Sequence, residues 1–260
     1  MKPKGLLIDI DGTLVHQGIA IPGAVKAIEY AQDSGLKCRF LTNITGRTPE
    51  AIATDLQTLG FPVVAQQIQT ATTACVDFLK EMPGQTSHLL VPETVRPLFD
   101  GIAIDNERPD NVVISDIGRA FCFDNLNEVF LMLRNGARLI ALQKNLFWYD
   151  VDGPKLDCGA FIAGLELATQ QTAEVTGKPS RLFFEMALKA IACSAEEVWV
   201  IGDDPSTDLA GANAIGARSV QVLTGKSANG SMSVEHHGTH CLSSIADLPH
   251  LLDNLLIRYP

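Results

Sequence analysis

The chain is short of basic residues, and it lacks closely spaced cysteine pairs and long apolar runs. Its 20 lysines and arginines are outnumbered by 30 aspartates and glutamates, giving a formal net charge of −10. This acidic balance disfavours nucleic acid or an anionic membrane as a general partner. No apolar run approaches the roughly 20 residues needed to span a membrane. We therefore expect no nucleic-acid partner and no membrane partner.

Four sequence motifs are also missing. The six cysteines lie far apart without a C-x-x-C pair, so we expect mostly buried free thiols in a reducing compartment. Residues Met1–Lys4 run into an apolar segment without a signal-peptide pattern, which predicts a cytoplasmic location. The segment His236–Cys241 lacks the usual zinc-ligand spacing and is better interpreted as a polar surface loop. Gly225-Lys226-Ser227 lacks the earlier glycine that a P-loop requires.

Strands and helices alternate at both ends of the chain, a pattern that predicts a doubly wound α/β core with a parallel sheet. We assign residues 1–82 and 174–260 to this core. Its predicted strands are Gly5–Ile8, Leu36–Leu41, Pro62–Val64, Ala173–Thr176, Val198–Ile201 and Ser219–Val222. Its predicted helices are Pro22–Ser34, Pro49–Leu59, Thr70–Lys80, Pro179–Ile191, Thr207–Ile215 and Ile245–Ile257.

Residues 83–173 are interpreted as a second α/β domain inserted into the first, with boundaries near Pro83-Gly84 and at Thr172–Thr176. The insert has its own short apolar runs and segments of helical spacing. Its predicted strands are His88–Val91, Val112–Ser115, Arg138–Leu142 and Phe147–Tyr149, and its predicted helices are Leu126–Leu133 and Gly159–Ala168.

The segment Asp9–Leu14 (DIDGTL) directly follows the apolar run Gly5–Ile8. Successive strand residues point to opposite faces, so Asp9 and Asp11 should share one side while Ile10 turns toward the core. Two neighbouring acids repel each other unless a cation or a proton separates their roles. The segment therefore predicts metal-assisted chemistry with one carboxylate as nucleophile and the other as proton carrier. An ordinary acidic turn is the alternative, because Asp-Gly is also a turn signal.

Three other polar signals fall where strands of the predicted core should end. Thr42-Asn43 follows the second strand and offers groups that can hydrogen-bond an oxyanion. Lys178 precedes a predicted helix, and a cation beside a helix N-terminus suits phosphate. The segment Gly202–Asp208 (GDDPSTD) follows the most apolar strand, and its carboxylate oxygens suit Mg²⁺.

Each signal also has a purely structural interpretation. Thr42-Asn43 could cap a helix, Lys178 could be a solvated surface charge, and Asp204 or Ser206 could cap the next helix. Their joint occurrence at one predicted sheet edge favours function, since such sheets bind ligands beyond the carboxyl ends of their strands. Asp157–Gly159, before a helix of the insert, is equally open as a substrate-facing segment or a helix start.

The ordered set resembles the four motifs of the haloacid dehalogenase superfamily of phosphotransferases, whose core is Rossmann-like. The matching residues are Asp9–Thr13, Thr42, Lys178 and Gly202–Asp208. The insert between the second and third motifs resembles the large α/β cap domain of the NagD-like and 4-nitrophenylphosphatase-like subfamily. The segments that strengthen this match are Asn135–Ala141 and Val175–Ser180.

Two further segments, Leu142–Tyr149 and Glu235–His237, are similar to the phospholysine phosphohistidine inorganic pyrophosphate phosphatase branch of that subfamily. One departure from the pattern is Ile44, where many relatives have a second asparagine. This difference affects one expected contact of the phosphate loop and leaves the expected chemistry unchanged.

The resemblance implies a Mg²⁺-dependent phosphatase of small phosphorylated molecules. Asp9 would attack phosphorus to form an aspartyl-phosphate, and Asp11 would protonate the leaving group and then activate water. Asp9, the Asp11 carbonyl oxygen and Asp203 would hold the metal. Asp208, and with it Asp204, would support these ligands from behind.

The resemblance also assigns the phosphate contacts to Gly12, Thr42, Asn43 and Lys178. The cap would close over the core to exclude water, and homodimers would form through the cap. A phosphomutase or another phosphotransferase, and a non-catalytic small-molecule-binding module, stay open as alternatives. A dehalogenase is disfavoured because it has no use for an acid at Asp11 or for the acidic metal cluster.

Overall fold

The computed structural model describes residues 2–150, 153–225 and 240–258. It divides into two compact units. The core unit comprises Met1–Thr42, Pro49–Gln69 and Lys178–Pro260, and the insert unit comprises Asn43–Thr48 and Thr70–Gly177. Among the described residues, none of the helices combines the length and apolar character needed to cross a membrane.

The strands are, in chain order, β1 Gly5–Asp9, β2 Val15–His16, β3 Ile19–Ala20, β4 Lys37–Thr42, β5 Ile68–Thr70, β6 Ser87–Leu90, β7 Asn111–Ile114, β8 Arg138–Ala141, β9 Phe147–Asp150, β10 Gly153–Leu156, β11 Glu174–Val175, β12 Val198–Gly202, β13 Arg218–Val222 and β14 His240–Leu242. The α-helices are α1 Ala24–Asp33, α2 Pro49–Thr58, α3 Ala71–Lys80, α4 Phe123–Arg134, α5 Cys158–Thr169, α6 Arg181–Ile191, α7 Ala210–Ile215 and α8 Leu248–Arg258. A π-helical turn, Pro205–Leu209, leads into α7.

The core unit is built on a six-stranded sheet in the order β14-β13-β12-β1-β4-β5. β1 pairs in parallel with β12 and with β4, and every residue of β1 and of β12 is buried. Burial on both faces explains why these two strands read as continuous apolar runs without alternation. Because β4, β1 and β12 are parallel neighbours, the residues that follow them emerge at one edge of the sheet.

The insert unit has its own sheet, in the order β11-β8-β7-β6, with parallel pairing throughout. Helix α3 packs Cys75 and Leu79 against Val113 and Ile140 on one side of the core of this unit. A second apolar cluster joins α4 and α5 to residues of the same strands. This unit therefore begins and ends outside residues 83–173, because α3 contributes to its core and β11 pairs with β8.

Three sequence predictions differ from the structure. The strand expected at Pro62–Val64 is absent, because the Val63 N–H bonds locally to Phe61 at 2.9 Å and the next strand starts at Ile68. The strand expected in the core at Ala173–Thr176 is β11 and belongs to the insert sheet. The helix expected at Thr207–Ile215 begins only at Ala210, because Pro205–Leu209 forms a π-helical turn.

The expectations for cysteine and histidine are met in part. All six cysteines are free thiols, of which Cys38, Cys75 and Cys158 are buried and Cys122 is exposed. His236 and His237, in the predicted polar loop, lie outside the described residues. The other end of that loop was predicted wrongly, because His240–Leu242 forms β14 and pairs in parallel with β13.

Candidate active site

The loop after β1 folds back tightly over its own apolar residue. Ile10 is buried, and its carbonyl oxygen accepts hydrogen bonds from the N–H groups of Leu14 and Val15 at 2.9 and 3.0 Å. Asp9 is buried beside it, whereas Asp11 is exposed. Gly12 has a φ of 94°, a left-handed conformation that favours glycine. The turn thus delivers two carboxylates to the edge of the sheet in different environments.

Lys178 joins two of the predicted site carboxylates. Its Nζ donates to Asp9 Oδ1 at 2.5 Å and to Asp208 Oδ1 at 2.7 Å. The side chains of all three residues are 6% exposed or less. Lys178 is therefore not a solvated surface charge, and it lies two residues before Ser180, whose hydroxyl caps α6 by accepting from the Phe183 N–H at 3.2 Å.

Asp9, Asp203 and Asp208 form a carboxylate cluster in which one oxygen of each residue lies within 4.8 Å of the others. Asp9 Oδ2 is buried without a hydrogen-bond partner among the residues that the structure describes. Three carboxylates and the Lys178 ammonium carry formal charges of −3 and +1, which leaves −2. Three hard carboxylate donors and this residual negative charge fit a divalent cation.

Burial and the close approach of charged groups shift the pKa values of the side chains in this cluster. Burial raises the pKa of Asp9 to about 6, against the attraction of Lys178. Burial likewise raises the pKa of Asp208 to about 7, again against Lys178. Burial alone would lower the pKa of Lys178, but the carboxylates of Asp208 and Asp9 raise it above its ordinary value. A cation bound by these acids would compete with protons, because metal ligands bind in their deprotonated form.

The remaining predicted site residues have separate roles in the structure. Thr42 is buried at the end of β4, and its hydroxyl makes a long contact of 3.4 Å with Asp11 Oδ2. Asp204 Oδ1 accepts from the N–H and the hydroxyl of Ser206 at 2.9 and 2.6 Å, so it caps the π-helical turn and lies outside the carboxylate cluster. Asn43 opens the short segment that groups with the insert unit, and its phosphate contact stays a prediction.

Two residues that sequence reasoning did not assign also reach this site. Thr224 follows β13, and its hydroxyl donates to the Gly12 carbonyl oxygen at 2.6 Å. A Cβ added to Gly225 would meet the Asp203 carboxylate and would lie 2.6 Å from the Gly12 Cα. Their position after a core strand was the available signal, since ligands bind at the carboxyl ends of such strands.

A parallel α/β sheet with clustered carboxylates and a buried lysine at its carboxyl edge defines the class of a haloacid dehalogenase-like hydrolase. The family model for haloacid dehalogenase-like hydrolases matches residues 6–103, and a related model of the same class matches residues 175–248. These matches span more than half of the chain. The chain belongs to the haloacid dehalogenase-like hydrolases.

Relatives narrow the class to phosphatases. The chain is 39% identical to the phospholysine phosphohistidine inorganic pyrophosphate phosphatase of Mus musculus, over 98% of this chain and 95% of that protein. It is 38% identical to the protein of that name from Homo sapiens, over 90% of this chain and 87% of that protein.

Solved structures agree. NagD from E. coli K-12 has a TM-score of 0.85 and 28% identity, over 95% of this chain and 98% of that chain. A p-nitrophenyl phosphatase from Archaeoglobus fulgidus has a TM-score of 0.89 and 26% identity, over 96% of this chain and all of that chain. The chain is therefore a hydrolase, a NagD-like phosphatase similar to the phospholysine phosphohistidine inorganic pyrophosphate phosphatase branch.

Proposed function

We propose that this phosphatase is Mg²⁺-dependent and hydrolyses small phosphorylated molecules through an aspartyl-phosphate on Asp9. The observation that carries the proposal is the unequal state of the two Asp9 oxygens. Oδ1 is fixed by Lys178 at 2.5 Å, whereas Oδ2 is buried without a hydrogen-bond partner among the described residues. An oriented carboxylate with one unengaged oxygen is suited to attack phosphorus from that oxygen.

Asp9 and Asp11 then have different roles in the two chemical steps. In the first step Asp9 Oδ2 forms a bond to phosphorus, and the bond from phosphorus to the leaving group breaks. Asp11, which is exposed, donates its proton to the departing atom. In the second step Asp11 takes a proton from water, the water oxygen attacks phosphorus, and Asp9 leaves as a carboxylate with release of phosphate.

The charge of the transferring group is offset by the residues around it. Lys178 holds Asp9 and faces the equatorial phosphoryl oxygens, and Thr42 and Asn43 offer them hydroxyl and amide groups. Gly12, which has no side chain, lets the backbone of the loop approach the phosphoryl group closely. A bound divalent cation would neutralise further charge on these oxygens and so let the anion approach Asp9.

The donor set favours Mg²⁺ as this cation, because every donor is a hard oxygen. Asp9, Asp203 and the Asp11 main-chain carbonyl oxygen would hold it. Asp208 supports these ligands from behind, because its Oδ1 accepts from Lys178 and its Oδ2 accepts from the Asp204 N–H at 3.3 Å. Asp204 supports the position of Asp208 through the π-helical turn that it caps.

The names of the relatives suggest phosphoramidates and pyrophosphate as the first substrates to test. In this proposal residues 83–173 act as a cap, and the protein works in the cytoplasm, to which its free thiols are suited. A homodimer through the cap is supported by large apolar side chains that the insert unit leaves exposed. These are Phe123 at 78%, Leu131 at 52%, Leu156 at 69% and Leu167 at 76%.

The test measures phosphate release from 4-nitrophenyl phosphate, pyrophosphate, phospholysine and phosphohistidine, with Mg²⁺ and with EDTA. Asp9→Asn should abolish turnover, and the matched surface variant Asp33→Asn should hydrolyse at the wild-type rate. Rapid acid quenching with labelled substrate should trap a hydroxylamine-sensitive phosphoenzyme in the wild type only. Phosphatase activity retained by Asp9→Asn would contradict the nucleophile assignment, and a phosphoryl group returned to the substrate would indicate a phosphomutase.

A further inference from the structure

The loop after β1 is held from two sides. Within the loop, the Gly12 N–H donates to the Val15 carbonyl oxygen at 2.7 Å. From outside it, the Thr224 hydroxyl donates to the Gly12 carbonyl oxygen at 2.6 Å. Both polar backbone groups of Gly12 are therefore engaged. The first bond holds the peptide plane between Asp11 and Gly12, and the second holds the plane between Gly12 and Thr13, so together they fix the backbone torsions of Gly12 and the direction of the Asp11 carbonyl.

The Asp203 carboxylate lies against two glycine backbones. A Cβ built on Gly12 or on Gly225 would collide with this carboxylate, and both glycines have left-handed φ values, 94° and 55°. The carboxyl torsion of aspartate is otherwise broad and poorly restricted. Packing against two bare Cα atoms confines the Asp203 oxygens, and any side chain at either position would displace them.

We propose that Thr224 and Gly225 are positioning residues for the divalent cation. Thr224 fixes the Gly12 backbone and, through it, the preceding Asp11 carbonyl, while Gly225 leaves the space in which Asp203 keeps its ligating orientation. This inference rests on the proposed cation site and adds the strand β13 to the elements that build it. Partners that orient metal ligands typically contribute about 10- to 100-fold to metal affinity.

The experiment measures Mg²⁺ binding to metal-free protein by isothermal titration calorimetry, without substrate. Thr224→Val removes the hydroxyl and keeps the shape of the side chain, whereas Thr224→Ser keeps the hydroxyl. Gly225→Ala adds a Cβ that would collide with the Asp203 carboxylate. Thr58→Val is the matched control, since the Thr58 hydroxyl also donates to a carbonyl oxygen, that of Thr54 at 2.9 Å in α2. Thermal unfolding in EDTA reports whether each variant is folded.

Thr224→Val and Gly225→Ala should bind Mg²⁺ about 10- to 100-fold more weakly. Thr224→Ser and Thr58→Val should bind like the wild type. Raising Mg²⁺ should recover kcat for Thr224→Val with KM for 4-nitrophenyl phosphate unchanged. Wild-type Mg²⁺ affinity in folded Thr224→Val would overturn the inference, even if Gly225→Ala does not fold. A wild type that does not bind Mg²⁺ would overturn the proposed cation site itself.

Discussion

Replacing Lys178 by methionine tests the charge balance of the site most directly. The substitution keeps an unbranched side chain and removes the only described cation in contact with Asp9 and Asp208. Both carboxylates are buried and lie with Asp203 in one cluster. Removing one partner of a buried ion pair leaves an uncompensated charge and costs about 3–5 kcal/mol.

The cost translates into a measurable shift in the unfolding temperature. In a domain of about 150–250 residues, 1 kcal/mol lowers Tm by about 2–4 °C, so the expected loss is about 6–20 °C. Part of this cost can be relieved by protonation, because burial raises the pKa of Asp9 to about 6 and that of Asp208 to about 7. The measurement therefore starts at about pH 8, where both groups of the wild type are largely ionised. Loss of the Lys178 charge raises both pKa values further in the variant, so the gap in Tm should widen as the pH is raised above 8.

The assay is thermal unfolding of metal-free protein in EDTA, repeated with saturating Mg²⁺. Lys4→Met is the matched control, because Lys4 also forms an ion pair, with Glu197 at 2.6 Å, but its side chain is 71% exposed. The control should unfold near the wild-type temperature, since exposed pairs contribute little. Mg²⁺ should narrow the gap between Lys178→Met and the wild type. A Tm for Lys178→Met within about 2 °C of the wild type in EDTA would refute the reasoning.

Two other substitutions give sharp expectations. Asp11→Ala should lower kcat/KM, which reports the first step alone, by about 10²- to 10⁴-fold for alkyl phosphates and by less for 4-nitrophenyl phosphate, whose leaving group needs no proton. An equal loss of kcat/KM for both substrates would contradict the proton-donor role. Gly211→Ala should destabilise the protein, because a Cβ there meets the ring of Phe184. The overpacking costs about 1–3 kcal/mol and outweighs the gain in helix propensity of about 1 kcal/mol. A urea midpoint of Gly211→Ala above that of the wild type would show that the Phe184 ring moves aside.

Much of the core could be predicted because parallel strands that are buried on both faces appear in the sequence as continuous apolar runs. β1 and β12 are uninterrupted apolar runs, and their predicted bounds are within one residue of those in the structure. The order of the polar motifs after these strands then indicated which side chains meet. The structure brings together Asp9, Lys178, Asp203 and Asp208, all of which the sequence had marked.

The sheet to which β11 belongs and the role of Thr224-Gly225 could not be predicted, because both depend on which strands are neighbours in the fold. β11 has two residues, and no periodicity in so short a run indicates which of two sheets it joins. Thr224-Gly225 reads as a common turn, and it gains meaning only because β13 pairs with β12, so that its end faces Gly12. Asp204 was ambiguous for another reason, since the same carboxylate chemistry serves a helix cap and a metal ligand.

The position of β1 in the middle of its sheet has a consequence for biosynthesis. Gly5 is opposite Lys37 on one side and Val198 on the other, so one partner strand leaves the ribosome early and the second only after most of the chain has been made. Pairings of long sequence separation form late, because their loop-closure entropy must first be overcome. Asp9 can therefore meet Asp203 and Asp208 only after Lys178 has been synthesised. The repulsion among these three carboxylates thus arises only when the lysine that balances it is already part of the chain.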